Sequence, residues 1–370
     1  MTSLVVRGDI MAKNTAIRDE FVDGLISDLN KQLGEVAYSL EGGNAPTEVT
    51  SYISSGSVVL DSIISNKVDG GFPVGRISEI VGEEATGKSL IALHALKNTQ
   101  KRGGVGILID TENATSVELL KKIGVDTRNL MYLQLGTVEE VFNAMEQIIK
   151  KIREKGDNRL VTIVWDSVAA TSTKAEVEGE YGDYTIGLAA RLIAQGLRKI
   201  TQFIGKMNVC LIFCNQMKVK IGVMFGDPMT TPGGKAIPYH ASVRLRLYRN
   251  GELKSGKTIQ GVGVKAKTIK NKIAPPLRQA EFDVIFGRGI DDETAWIKVL
   301  EAGGIVKRGG SWYSLDYDGE EIKFQSKNWK EMLLKRPGLY EWAKTQVQQS
   351  LIIDIQDELE TLTDAESFTE

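Results

Sequence analysis

The sequence predicts an α/β protein: a mostly parallel central sheet around a phosphate loop, with a helical segment before it and a small α+β domain after it. Three observations carry this. Between about residues 50 and 290, apolar strand-like runs alternate with helical stretches, the pattern of an open α/β sheet. Residues 82–89 read Gly-Glu-Glu-Ala-Thr-Gly-Lys-Ser, matching the G-x-x-x-x-G-K-[ST] loop that wraps a nucleotide's phosphates. From about residue 290, short mixed elements carry Trp296, Trp312, Trp329 and Trp342, enough aromatic mass for a small separate core.

Bulk properties bound the rest. At 370 residues, 42% hydrophobic and 25% charged, the chain is ordinary for a soluble globular protein and has room for two or three domains. A net charge of −2 argues against coating nucleic acid by bulk positive charge, though not against a local basic channel. The two cysteines, Cys210 and Cys214, lie four apart in an expected strand, so both side chains face the same way as reduced thiols. Only His94 and His240 could join them as zinc ligands, and neither is nearby. With no signal peptide and no apolar run of spanning length, a cytoplasmic protein without membrane association is expected.

Along the chain, Ile17, Phe21, Val22, Leu25, Ile26, Leu29 and Leu33 form a helical stripe, set off by a Gly/Pro/Thr-containing stretch near Gly42 to Thr47. Such a helix must bury its stripe on the main domain or on a second copy of the chain. Expected strands follow at Ile77–Val81, Gly106–Asp110, Leu130–Leu135, Leu160–Trp165, Val209–Cys214 and Ser242–Tyr248. The first five are near-continuous apolar runs, as expected of parallel strands covered on both faces. Two hydrophilic stretches, Thr171–Gly187 and Lys218–Lys235, interrupt the alternation and are long enough to be functional loops. The expected division is 1–50 for the helix and linker, 51–289 for the phosphate-loop core, 290–353 for the small domain, and 354–370 for a tail. That tail carries seven carboxylates and no Lys or Arg, and reads as disordered.

Five constellations carry chemistry. In the phosphate loop, Gly82 and Gly87 let the backbone curl so that N–H groups point at an anion. Glu83, Glu84, Ala85, Thr86 and Leu90 complete the nucleotide-binding stretch; Lys88 would reach the β- and γ-phosphates, and Ser89 would ligate Mg²⁺. The strand ending at Asp166 brings a second carboxylate for the metal shell, or else a turn cap. Ile107–Glu112 delivers Asp110 and Glu112 to the same crevice, where Glu112 would orient and deprotonate a water with Asp110 in support; two solvated acids are the alternative. Gln216, at the tip of another apolar strand, is either a γ-phosphate sensor that opens the loop behind it or a capping amide. The basic run Lys265–Lys272 fits a solvated face, a nucleic-acid contact, or cationic fingers entering a neighbouring subunit's nucleotide site.

Taken in order, these motifs resemble one family, the bacterial-type RecA recombinases. The resemblance runs from about Ser51 to Leu351. It is carried by the blocks Gly75-Arg-Ile-Ser-Glu, Lys174-Ala-Glu-Val-Glu-Gly-Glu, Gly187-Leu-Ala-Ala-Arg191, Lys220-Ile-Gly-Val-Met-Phe-Gly-Asp-Pro228, Ala241-Ser-Val-Arg-Leu245 and Lys270-Asn-Lys-Ile-Ala-Pro275. It implies a RecA-like P-loop NTPase core with ATP and Mg²⁺ as cofactors, Lys88 and Ser89 on phosphate and metal, Asp166 as second metal carboxylate, and Glu112 as catalytic glutamate. It implies Gln216 as γ-phosphate relay, and Lys270 and Lys272 as the pair that reaches the neighbour's γ-phosphate. Glu178, Gly179 and Ile186 fall in the first DNA-binding loop. Lys218, Val219, Lys220, Ile221 and Phe225 fall in the second, whose backbone Gly233 and Gly234 hold, with Arg191 and Arg198 on the DNA backbone. The N-terminal helix would pack on the adjacent subunit.

Some positions depart from the family pattern. Ser116 and Leu119 stand where relatives place an aspartate and a tyrosine against adenine, and Pro238 and Tyr239 replace a lysine–phenylalanine subunit contact. Ile186 and Lys218 replace a methionine and an arginine. Such departures fit a divergent or phage-encoded member. The resemblance implies a helical filament on single-stranded DNA that takes up duplex DNA, exchanges strands and works with single-strand-binding and mediator proteins. A hexameric helicase on the same core, or an ATP-binding mediator without strand exchange, is the alternative. The acidic tail would compete with DNA for basic surface, an inhibition that salt weakens.

Overall fold

The computed structural model describes residues 20–40, 48–180, 187–205, 207–219 and 229–353. The chain divides between Glu48 and Val49 into two compact units. In the first, α1 (Glu20–Leu33) carries the expected stripe from Phe21 to Leu33, Ile17 lying outside the described residues, yet no residue of the helix is buried. Phe21 and Leu33 are about two-thirds exposed, at 71% and 66%. Asn30 closes the helix end by accepting the N–H groups of Val36 and Ala37.

The second unit opens with β1 (Tyr52–Ile53) and β2 (Phe72–Pro73), an antiparallel pair flanking α2 (Val58–Ser65). There follow β3 (Ile77–Gly82), α3 (Lys88–Lys101), β4 (Val105–Asp110), α4 (Val117–Ile123), β5 (Leu130–Leu133), α5 (Val138–Glu154) and β6 (Val161–Asp166). Then come α6 (Lys174–Glu178), α7 (Leu188–Ile204), β7 (Val209–Gln216), the short pair β8 (Lys218–Val219) and β9 (Met229–Thr230), and α8 (Ala236–His240). Four long or closing strands follow: β10 (Val243–Ser255), β11 (Thr258–Asn271), β12 (Gln279–Ile285) and β13 (Gly289–Asp291). The nine-stranded sheet has the order β13-β12-β11-β10-β3-β7-β6-β4-β5. From β10 to β5 every pairing is parallel, and from β10 to β13 every pairing is antiparallel.

Both faces of the parallel part are covered. On one face Ile80, Leu108, Val164 and Ile212 pack with α2 and α3; on the other Ile109, Trp165 and Phe213 pack with α5 and α7. Trp165 stands edge-on between Phe142 and Phe213, at 5.6 and 5.4 Å between ring centres. Cys210 and Cys214 do share one face, as free thiols among apolar side chains, and burial pushes the Cys210 thiol up to about 12. The expectation of two-sided cover fails at β5. This strand ends at Leu133 and leaves Met131 and Tyr132 about 40% exposed, because it is the sheet's edge and has only β4 beside it.

The last segment contains α9 (Glu293–Ala302), the antiparallel sheet of β14 (Val306–Gly309), β15 (Trp312–Tyr317) and β16 (Glu320–Phe324), then α10 (Trp329–Lys335) and α11 (Pro337–Leu351). Trp296 and Trp329 are fully buried, but not in a core of their own. They belong to one continuous cluster with Ile64, Leu93 and Phe282, while Trp312 stays half exposed. Asp292 ties the two parts together, accepting hydrogen bonds from Ser57 at the start of α2 and from the Trp296 indole. The acidic tail lies outside the described residues.

Candidate functional site

Register gathers the predicted site at one edge of the sheet. Gly82 lies beside Gln216, Cys214 beside Asp166, and Asp166 beside Asp110, so β3, β7, β6 and β4 end together. Ligands of open α/β sheets bind in this position, outside the carboxyl ends of the strands.

At the tip of β3, a Cβ on Gly82 would lie 2.8 Å from Thr86 Oγ1 and 2.9 Å from the Leu247 carbonyl oxygen, so only glycine fits. Thr86 is buried and its hydroxyl donates to the Glu83 carbonyl at 2.8 Å, which closes the loop. Gly87 adopts the left-handed conformation at φ 87° and caps α3 with no side chain, leaving the first N–H groups of that helix open to an anion. Glu83, Glu84, Ala85 and Ser89 are exposed, and Leu90 is half-buried. Lys88 Nζ folds back on the loop, donating to the carbonyls of Gly82 at 3.1 Å and Glu83 at 2.7 Å. Burial lowers its pKa, against the pull of Asp166, Glu112 and Glu84.

Asp166 shows the opposite balance. Burial raises its carboxyl, a hydrogen bond with Ser89 lowers it, and the nearby charges of Glu112 and Asp110 raise it again. A hydroxyl and a carboxylate crowded by further acids suit a hard, oxygen-seeking cation such as Mg²⁺. Across the crevice Glu112 is exposed, and one of its carboxylate oxygens accepts a short hydrogen bond from Ser167 Oγ. Its backbone N–H donates to Asp110 at 3.1 Å. Asp110 is almost fully buried and also accepts from the Thr115 N–H and the Tyr132 hydroxyl. Burial works to raise this carboxyl, but those hydrogen bonds outweigh it and hold it below its usual range. Asp110 therefore builds the turn that presents Glu112.

The candidate DNA elements adjoin this edge. Thr173 starts α6 with a capping box that includes Glu176; Glu178 ends the helix and Gly179 caps it. On α7, Arg191 and Arg198 are exposed and seven residues apart, hence on one face, while Ile193, Leu197 and Ile200 bury the other. Lys218 and Val219 pair with Thr230 and Met229 as the stem of the second loop. Ile186, Lys220, Ile221 and Phe225 lie outside the described residues. Gly233 and Gly234 both have left-handed φ, at 87° and 67°. A Cβ on Gly233 would come within 3.2 Å of Ile193, and one on Gly234 within 3.1 Å of Ala190. The exit of the second loop is thus seated on the first turns of the Arg191 helix.

The basic run lies within and just beyond β11, with Lys265, Lys267 and Lys270 half-buried and only Lys272 exposed. Lys270 pairs with Arg244, which pairs with Glu79, three residues short of Gly82 and two strands away. At about 3.3 Å per residue and about 4.8 Å per strand, that is roughly 10 Å along the sheet and roughly 10 Å across it from the phosphate loop of the same chain. Lys270 Nζ donates to the carbonyls of Pro238 at 2.6 Å and Tyr239 at 3.0 Å, while Tyr239 itself is 68% exposed. Burial, then the charges of Lys272 and Arg244, lower the Lys270 pKa to about 8.

Several residues of the site are not among those predicted from the motifs. Ser167 holds Glu112, just beyond β4, and Tyr132 holds Asp110 at its end. Asn215 donates to Glu79 at 3.0 Å and to the Pro232 carbonyl at 3.1 Å, and accepts the Gln216 N–H at 3.0 Å. Arg244 closes on Glu79 at 2.5 Å. The available signal was an acid inside an apolar strand, since Glu79 stands between Ile77 and Val81. At the departing positions, Ser116 caps α4 by accepting the Leu119 N–H at 3.1 Å, and Leu119 packs against the core.

The chain is similar to known proteins over most of its length. The family model described as the RecA N-terminal domain matches residues 20–291. The chain is 40% identical to Protein RecA of Staphylococcus carnosus (strain TM300) over 352 residues, covering 94% of this chain and 96% of the relative. It is 40% identical to Protein RecA of Syntrophus aciditrophicus (strain SB), covering 90% and 93%, and 38% identical to that of Allochromatium vinosum, also covering 90% and 93%.

Proposed function

The chain belongs to the RecA family of DNA recombination and repair proteins, and from that premise we propose that it hydrolyses ATP between successive subunits of a filament on single-stranded DNA. The single observation that carries the reading is the separation of two half-sites. Gly82–Ser89, Glu112 and Gln216 cluster at the carboxyl edge of the sheet, whereas Lys270 and Lys272 lie toward its other end, out of reach of their own phosphate loop. A second subunit stacked head to tail would bring the lysines to the phosphates, and such heterologous contacts propagate because they do not close. The exposed stripe of α1 offers apolar surface for the same stacking.

In this reading the loop N–H groups and Lys88 bind the phosphates, and Glu112 orients a water in line with the γ-phosphorus and takes its proton. Ser167 fixes the Glu112 carboxylate, and Asp110 fixes its backbone. Ser89 and Asp166 would hold Mg²⁺, whose charge neutralises phosphate oxygens when bound. Lys270 and Lys272 stabilise charge on the neighbour's γ-phosphate, and Gln216 registers its presence. The DNA loops grip a single strand through backbone charge and apolar wedges, and matching comes from base pairing with incoming duplex rather than side-chain readout. Single-strand-binding and mediator proteins, a cytoplasmic setting and an inhibitory acidic tail belong to the same proposal. The small domain of residues 290–353 would carry the basic surface for which that tail competes. Among the described residues no helix is long and apolar enough to cross a membrane.

The test pairs ATPase rates, with and without single-stranded DNA, with negative-stain imaging. DNA-stimulated hydrolysis and helical filaments are expected; closed rings, or a rate indifferent to DNA, would overturn the reading in favour of a ring motor.

A further inference from the structure

We propose that Glu79 is a positioning residue that couples the γ-phosphate sensor to the DNA loop and to the cationic face; this rests on the function proposed above. Glu79 is completely buried in the middle of β3, with the apolar Ile77 and Val81 two positions away on either side. A buried ion pair is a poor stabiliser, because apolar residues of similar size pack as well without the desolvation cost. Its connections point to another role. One carboxylate oxygen accepts Asn215 Nδ2 at 3.0 Å, and the other accepts Arg244 Nε at 2.5 Å. Asn215 in turn accepts the Gln216 N–H and donates to the Pro232 carbonyl, immediately before the Gly233–Gly234 pair seated on α7. Arg244 is the strand partner of Lys270.

One carboxylate thus joins the strand that leads into the phosphate loop, the backbone of the sensor residue, the exit of the second loop, and the strand of the fingers. A carboxylate only accepts hydrogen bonds, so it admits a single orientation of the Asn215 amide: nitrogen toward Glu79, oxygen toward Gln216. A shift of the Gln216 backbone when a γ-phosphate arrives or leaves must then move Asn215, and with it the hydrogen bond to Pro232. Glutamine at position 79 would bring its own donors, release that orientation and leave Arg244 without its charge partner.

The experiment measures affinity for a labelled oligothymidylate in the presence of ATPγS and of ADP, by anisotropy, alongside affinity for a fluorescent ADP analogue. The natural chain should bind DNA more tightly with ATPγS, by about 5- to 150-fold, the usual span of coupling between sites. Glu79→Gln should bring that ratio to within about twofold of unity while the affinity for the ADP analogue stays within about twofold of the natural chain. Arg244→Met, which keeps the stem, should do the same, and the double variant should be no worse than either single one. If Glu79→Gln does not fold, Asn215→Ala, which leaves the ion pair intact, must show the same collapse. A retained ratio in a variant that binds the ADP analogue normally, or single effects that multiply in the double variant, would overturn the proposal. A natural chain with no nucleotide-dependent ratio would instead defeat the function on which it rests.

Discussion

The two halves of the candidate ATP site are built in different ways. The phosphate-loop half is local: eight consecutive residues, one Gly cradle, and hydrogen bonds that span no more than six positions. The cationic half is assembled from distant segments. Lys270 is held by carbonyls 31 and 32 residues away, and beneath it Arg244 meets Glu79 across 165 residues. The loop's own hydrogen bonds are local, while the cradle around Gly82 draws on a distant residue, the Leu247 carbonyl. The distant half depends on the whole sheet being in register, and it is the half that would report assembly to the DNA loops.

The largest expected effect tests the carboxyl edge of the sheet, where Glu112 faces the phosphate loop. Glu112→Gln should lower the turnover of ATP by about 10²- to 10⁴-fold, the usual contribution of a positioned general base, and leave long-lived filaments. Normal turnover would remove Glu112 from its role. Gly82→Ala comes next, since its Cβ would meet a backbone carbonyl at 2.9 Å that cannot step aside. Overpacking of about 1–3 kcal/mol should weaken nucleotide binding by roughly 5- to 150-fold in a titration with a fluorescent analogue. An unchanged affinity would mean that the loop is less rigidly cradled than the distances imply.

The cationic half predicts a dependence on pH instead. Lys270 falls from its ordinary 10.5 to about 8 in the free protein, so it is charged at pH 7 and loses its proton as the pH rises through 8. A neighbour's γ-phosphate favours the charged lysine, so filament ATPase should decline only above about pH 8, and Lys270→Arg should flatten that decline because the guanidinium stays protonated. A profile identical in the two proteins would separate the lysine charge from catalysis. Because the folded pKa lies below the unfolded one, stability itself should rise from about pH 8 to 10.5, where only the unfolded chain still carries the proton.

The smallest effect concerns the departing positions. Ser116→Ala removes a helix cap and should cost about 1 kcal/mol in a denaturant melt. ATP affinity should hardly change, because Ser116 is committed to the Leu119 N–H rather than to a base. A large loss of affinity would place the adenine against α4 after all.

Legibility followed the same divide. The phosphate-loop motif and the acids and amide at the strand tips could be picked out from spacing within short segments, and strand register brings them to one edge of the sheet. The parallel strands could be read from apolar runs, since two covered faces leave no polar alternation. β5 broke that rule because a run of Leu130-Met-Tyr-Leu133 says nothing about its place at an edge. The tryptophans after residue 290 suggested a core of their own for the same reason: composition reports burial, not which neighbour does the burying. Glu79 and Arg244 both stand inside the family-like blocks, but their meeting across the β3–β10 pairing is a property of register.

The sequence by itself determined that this chain carries a phosphate-loop motif, builds an α/β sheet and belongs with the RecA proteins, because each of those rests on short-range spacing and ordered motifs. Only the tertiary structure decided that Lys270 sits level with Glu79 rather than with Gly82, and that Asn215 bonds both the Gln216 N–H and the Pro232 carbonyl. Both depend on which strands lie side by side, and strand pairing joins residues that the chain itself keeps far apart.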